Sequence, residues 1–154
     1  MIKLGKLTDY GTMLATVLAT EPGRLLSALE LAQKSHVSEP TVRKLLKQLT
    51  RAGLVESLRG AHGGYRLARA PSAVTVADVV AALEGPIALT QCATHGGGCS
   101  IEPHCGVRGN WNLINTALKN ALSAVTLEQM ASPMRAPARP MVAPLVFTPS
   151  PAAN

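Results

Sequence analysis

The chain has 154 residues, 47% of them hydrophobic but only 3% aromatic, enough for one modest aliphatic core with appendages and too little for two large domains. It contains no apolar run of about 18 residues, and Met1-Ile2-Lys3-Leu4-Gly5-Lys6 leads straight into polar Thr8-Asp9, which argues against secretion or membrane insertion; a cytoplasmic protein with no membrane partner is expected. The formal charge of +6 is concentrated in residues 1–70, where eleven Lys/Arg face five acids, while residues 71–154 balance at four against four, so a polyanion partner is expected for the first half.

In chain order, Leu7, Tyr10, Leu14, Val17 and Leu18 recur at three-and-four spacing and predict a helix over 7–19, with Thr8 as its N-cap and Pro22-Gly23 beyond its end. Ser27 followed by Glu30 is a capping-box pair, each side chain satisfying an orphan backbone donor, and it opens a short second helix that stops near Ser35-His36. Ser38 caps a third helix, whose first turn tolerates Pro40 because no intrahelical donor is needed there. On that helix Val42, Leu45, Leu46 and Leu49 share one face and require a core. Thr41, Arg43, Lys44, Lys47, Gln48 and Arg51 take the remaining surface.

The stretches 54–59 and 65–67 flank Gly60-Ala61-His62-Gly63-Gly64, a connection able to take the positive-φ geometry of a hairpin. Helix, short turn, helix and hairpin is the order of a winged helix-turn-helix. Past Pro71, Thr75 and Asp78 form a second capping pair ahead of Val76, Val79, Val80 and Leu83, and Gly85-Pro86 closes that helix. Residues 87–109 read as loop and hold Cys92, Cys99 and Cys105. Trp111, Ile114, Leu118, Ala121 and Val125 then step by 3, 4, 3 and 4, a seam suited to a partner helix. Residues 132–154 carry six prolines without periodicity and read as a flexible Pro/Ala-rich tail. The expected fold is mainly α with a small β-hairpin wing: a winged helix-turn-helix domain over 1–86, a cysteine-containing sensor loop over 87–109, a long C-terminal dimerisation helix over 110–131, and the tail.

A helix in the major groove of DNA needs donors for base edges and cations for phosphates. Arg43 can pair bidentately with guanine, Thr41 lies on the same face, and Lys44, Lys47 and Arg51 reach phosphates. Ser38 stands at the helix N-terminus, where a phosphate also feels the helix dipole. Arg59 and His62 occupy the hairpin where a wing meets the minor groove. Each of these residues also has a plainer reading as solvated surface.

Three cysteines cannot all pair within one chain, and without a secretion signal a metal or redox role fits better than a disulfide frame. The spacing Cys92-x6-Cys99-x5-Cys105 is wider than a zinc knuckle and long enough to wrap something larger than one ion. Thiolates are what an iron–sulfur cluster requires, and three of them leave one position for another ligand; His95 and His104 are available. Thiol oxidation and zinc remain open. No nucleophile–base pair is evident, so an enzyme is not expected.

Leu7-Thr8-Asp9-Tyr10-Gly11, Val37-Ser38 to Gly53-Leu54-Val55, Arg59-Gly60-Ala61-His62-Gly63-Gly64-Tyr65-Arg66-Leu67, the three-cysteine loop and the terminal helix together resemble the Rrf-two family of transcription regulators, over about residues 1–131. That family includes the iron–sulfur regulator IscR, the nitric-oxide sensor NsrR and the regulators of SUF cluster-assembly operons; the opening motif is most similar to the last. The resemblance implies a homodimer on double-stranded DNA with two half-sites, and a [2Fe–2S] or [4Fe–4S] cluster held by Cys92, Cys99 and Cys105. IscR-type proteins carry a ligating histidine three residues beyond the third cysteine, where this chain has Arg108. NsrR-type proteins use an early aspartate from the other subunit, and Asp9 matches that position. The implied function is repression of a SUF-type operon according to cluster status, with a thiol-redox, nitric-oxide or zinc-responsive repressor of the same fold as the alternative.

Overall fold

A computed structural model of the chain describes residues 3–90, 100 and 104–132, so Cys92, Cys99, His95 and the tail over 133–154 lie outside the described residues. The helices are α1 (Lys6–Thr20), α2 (Ala28–Ser35), α3 (Glu39–Arg51), α4 (Val76–Glu84), α5 (Arg108–Ser123) and α6 (Leu127–Ala131). A two-stranded antiparallel hairpin, β1 (Val55–Leu58) and β2 (Gly64–Leu67), follows α3, and a single 3-10 turn at Pro71–Ala73 precedes α4.

The core forms where the aliphatic stripes meet. Val42, Leu45, Leu46 and Leu49 of α3 are fully buried, against Leu14 and Leu18 of α1, Leu31 of α2 and Val79 of α4. Each such side chain stabilises the fold by about 1.5–3 kcal/mol relative to leaving it in water. Helix α1 is the hub, packing on α2, α3, α4, α6 and β2. Both expected capping boxes form. Glu30 N–H donates to Ser27 Oγ at 3.1 Å while Ser27 N–H donates to Glu30 Oε2 at 2.7 Å, and Thr75 and Asp78 do the same at 3.2 and 2.9 Å. Between α2 and α3 the chain turns through His36 at φ 55°, a left-handed conformation that ends α2 in one residue.

The hairpin is seated on the helices through its root. In register, Val55 faces Leu67 and Glu56 faces Arg66. Leu26, just ahead of α2, bridges Tyr65 with two backbone hydrogen bonds of 3.0 and 2.8 Å. Gly64 makes this approach possible, since a Cβ there would stand 2.8 Å from the Leu26 carbonyl oxygen. Arg59, Ala61 and His62 are left exposed at the tip.

Three local expectations are corrected. Gly5, not Thr8, is the N-cap of α1; Thr8 is buried and its hydroxyl donates to Glu84 Oε1 at the end of α4, while Gly5 N–H donates to the same oxygen at 2.8 Å. Ser38 does occupy the N-cap position of α3, but it makes no capping hydrogen bond and its hydroxyl instead pairs with Thr41 Oγ1 at 2.8 Å. The single helix expected over 110–131 is two, because Thr126 and Gln129 form a further capping box that starts α6 and Leu127 is drawn fully into the core. Val125 therefore lies in the connection rather than on the helix, and its carbonyl accepts from Val76 N–H at 2.9 Å.

Glu84 thus caps α1 from a distant element. Hydrogen bonds from the Thr8 hydroxyl, then from Gly5 N–H, hold its carboxyl below the ordinary value of 4.5. A depressed folded pKa means that this contribution to stability is complete above pH 4.5 and is lost as pH falls through the lower folded value. Glu84→Gln is expected to flatten the acid limb of the stability–pH curve below that point, measured by urea denaturation; an unchanged acid limb would contradict the capping role.

Candidate nucleic-acid interface and metal centre

Because one face of α3 is consumed by the core, the helical repeat forces Arg43, Lys44, Lys47 and Arg51 into solvent, with Thr41 and Gln48 half-buried at the flanks. Ser38 is exposed at the start of the same helix. The charge on this face is left uncompensated. On other surfaces of the domain four cations are paired: Arg24 with Glu21 and Glu30, Lys34 with Glu21, Arg66 with Glu56, and Arg69 with Asp78. Lys34, then Arg24, hold the Glu21 carboxyl below its ordinary range, so that acid stays ionised. Lys44, Lys47, Arg51 and Arg59 have no acidic partner among the described residues.

Arg43 is the exception on this face. Its guanidinium donates to Glu39 Oε1 at 2.5 and 2.9 Å, one helical turn back. The i, i+4 spacing signals this pair in the sequence, yet the sequence reading missed it. An exposed pair of this kind is worth about 0.3–0.5 kcal/mol. A bidentate guanidinium–guanine contact is worth about 1–3 kcal/mol, more than this pair.

Asp9 sits exposed in the first turn of α1, where its N–H donates to the Gly5 carbonyl at 3.1 Å and its carboxylate has no hydrogen-bond or ion-pair partner among the described residues. Its neighbours in the motif have packing tasks. Thr8 is tied to Glu84; Gly11 admits Leu83, whose Cδ1 would stand 2.2 Å from a Cβ there; Tyr10 packs on the core beneath the Lys6 ammonium, 5.4 Å above its ring. Cys105 is a free, half-buried thiol just ahead of α5, and His104 beside it is exposed. Arg108 opens α5, and a guanidinium offers no lone pair to a metal. Among the described residues no three His, Cys, Asp or Glu side chains converge, two of the three thiols lying outside them. Three thiolates and one unengaged carboxylate are chemically a fit donor set for an iron–sulfur centre.

None of the residues of α5 is buried, although it carries Trp111, Leu113 and Ile114, with Leu113 72% exposed. Ala121 is also exposed, whereas Leu118 is half-buried and lines a cavity of about 380 Å³ with Leu122, Val80, Ile87 and Leu89. An isolated helix of about this length is marginal in water, so its outer apolar face calls for a partner. No helix among the described residues is long and apolar enough to cross a membrane.

A fully backed basic helix beside a cationic hairpin defines a winged helix-turn-helix transcription regulator. The chain belongs to the Rrf2 family, described as iron-dependent transcriptional regulators, whose family model matches residues 4–133. It is 36% identical over 132 residues to the HTH-type transcriptional regulator CymR of Bacillus subtilis (strain 168), covering 85% of this chain and 91% of that protein. The solved structure of B. subtilis CymR, titled the global cysteine regulator, matches with a TM-score of 0.68 at 34% identity, covering 85% of this chain and 97% of that one. The structure of T. potens IscR matches with a TM-score of 0.63 at 30% identity, covering 84% and 85%. These relatives are regulators rather than enzymes.

For a DNA-binding regulator built this way, Arg43→Ala is expected to cost about 1–3 kcal/mol on a specific operator and to relax preference at one base pair. Lys47→Ala is expected to weaken all sequences alike and to reduce the salt slope of binding by about one. Fluorescence anisotropy over a salt series separates the two; equal effects on specific and random duplexes for Arg43→Ala would remove it from base readout.

Proposed function

We propose that this protein is a homodimeric repressor whose operator affinity follows the occupancy of an iron–sulfur centre, and that it controls a SUF-type cluster-assembly operon. The observation that carries the reading is Asp9: exposed, its carboxylate unpartnered among the described residues, within a motif where Thr8, Tyr10 and Gly11 all have packing tasks. Cys92, Cys99 and Cys105 hold the centre from one subunit, and Asp9 of the partner subunit supplies the fourth donor. When bound, such a cluster supplies iron whose redox state and ligation respond to oxygen, nitric oxide and iron supply.

The chain's own residues do the rest. Trp111, Ile114, Leu118 and Ala121 on α5 form the dimer seam, and Val125 adds to it from the connection beyond. Arg43 and Thr41 read bases; Ser38, Lys44, Lys47 and Arg51 hold phosphates; Arg59 and His62 enter the minor groove from the wing. Asp9 at the start of α1 in one subunit and the cysteines ahead of α5 in the other would hold the centre, and so would set the spacing of the two α3 helices against half-sites about 34–36 Å apart. The iron-dependent family and the likeness to an IscR structure support the cluster.

A second reading keeps the fold and the DNA but replaces the cluster with thiol oxidation, nitric oxide or zinc at the same cysteines. The free Cys105 thiol and the likeness to a cysteine regulator favour it. Operator affinity measured on anaerobically purified protein, chelator-stripped protein and a triple Cys→Ser variant tests the coupling. A difference of about 5–150-fold between the first and the other two is expected; identical affinities would refute it.

A further inference from the structure

Asn115 lies on α5 between Ile114 and Leu118, and its carboxamide turns toward its own chain. Its Nδ2 donates to the Ile87 carbonyl at 3.1 Å, and its Oδ1 accepts from Leu89 N–H at 3.2 Å. One planar amide thereby satisfies two backbone groups of a non-helical segment that has no strand beside it, as a neighbouring peptide would. That segment leaves α4 at Gly85-Pro86 and reaches Cys92 three residues after Leu89.

The same segment is fastened at its other end. Glu84, its immediate predecessor, holds Gly5 and Thr8 at the start of α1, next to Asp9. Between these two points Ile87 and Leu89 are half-buried and line the 380 Å³ cavity together with Leu118 and Leu122 of α5. The Asn115 amide adds a directional attachment of residues 87–89 to α5. Asparagine is also a poorer helix former than alanine, so its presence within α5 does not serve the helix itself.

We propose that Asn115 is a positioning residue that locks the backbone leading to Cys92 onto the dimer-seam helix, so that a change in how the cysteines are held reaches α5 instead of being absorbed in the intervening chain. This rests on the proposed reading of the chain as a repressor whose operator affinity follows occupancy of its three cysteines. Without the amide, residues 87–89 lose both hydrogen bonds to α5.

The test uses the full-length protein, wild type against Asn115→Ala and Asn115→Asp; the second is isosteric, keeps the acceptor for Leu89 N–H and sets a charged oxygen against the Ile87 carbonyl in place of the donor. Two quantities are read: the ratio of operator Kd between stripped and anaerobically loaded protein, and the hydrogen-exchange rate at Leu89. Both variants are expected to keep wild-type iron content and dimer elution, to exchange at Leu89 up to about tenfold faster, and to lose most of a ratio that in wild type is of the order of 5–150. Faster exchange with the ratio preserved in both variants overturns the Asn115 role alone. A wild-type ratio of one overturns the regulator reading, and the coupling role with it.

Discussion

The complete burial of one face of α3 is the constraint on which the rest depends. With Val42, Leu45, Leu46 and Leu49 all at zero exposure, the rotation of the helix is fixed to within the width of its aliphatic stripe. Lys44, Lys47 and Arg51 then have nowhere to point except solvent. The DNA-facing charge is thus a by-product of core packing, and it is sharpened by where the acids sit: Glu21, Glu30, Glu56 and Asp78 engage Arg24, Lys34, Arg66 and Arg69 on other surfaces. Only Glu39 intrudes on the interface, and it does so by a weak exposed pair.

Helix α1 joins α3 to α4 and to the C-terminal α6. Its inner side supplies Leu14 and Leu18 to the core behind α3, and its N-terminal turn is held by Glu84 from α4. Gly11 brings α1 and α4 together closely enough that a methyl group would collide with Leu83. Asp9 consequently projects from one of the better-anchored turns in the molecule, which suits a ligand offered to another subunit. The α4–α5 connection starts just after the same Glu84, so the start of α1 and the start of that connection are fastened at one residue.

Much of this was legible in the sequence. The Ser27–Glu30 and Thr75–Asp78 boxes, the α3 stripe and the glycine-rich hairpin are local patterns whose energetics are settled within a few residues, and the structure keeps them. What escaped was partly local, as with the Glu39–Arg43 pair and the Thr126–Gln129 box, and partly set by distant partners. Thr8 looked like a cap because no local pattern reveals that Glu84 lies across from it. Val125 fell on the heptad seam by spacing alone, while the burial of Leu127 and the Thr126–Gln129 box turn the chain away before the seam can continue. Asn115 carries no sequence signal at all, since its partners are backbone groups of residues 87 and 89.

The account stands most directly on whether the three thiols and Asp9 hold a cluster. The measurement is the ultraviolet–visible spectrum of anaerobically purified wild type and Asp9→Ala, with iron and acid-labile sulfide assayed on both. A brown wild-type protein with sulfide matching its iron, and a weakened or shifted spectrum in the variant, is the predicted result. A colourless wild-type protein without iron would contradict the cluster and leave a thiol or zinc regulator on the same DNA-binding fold.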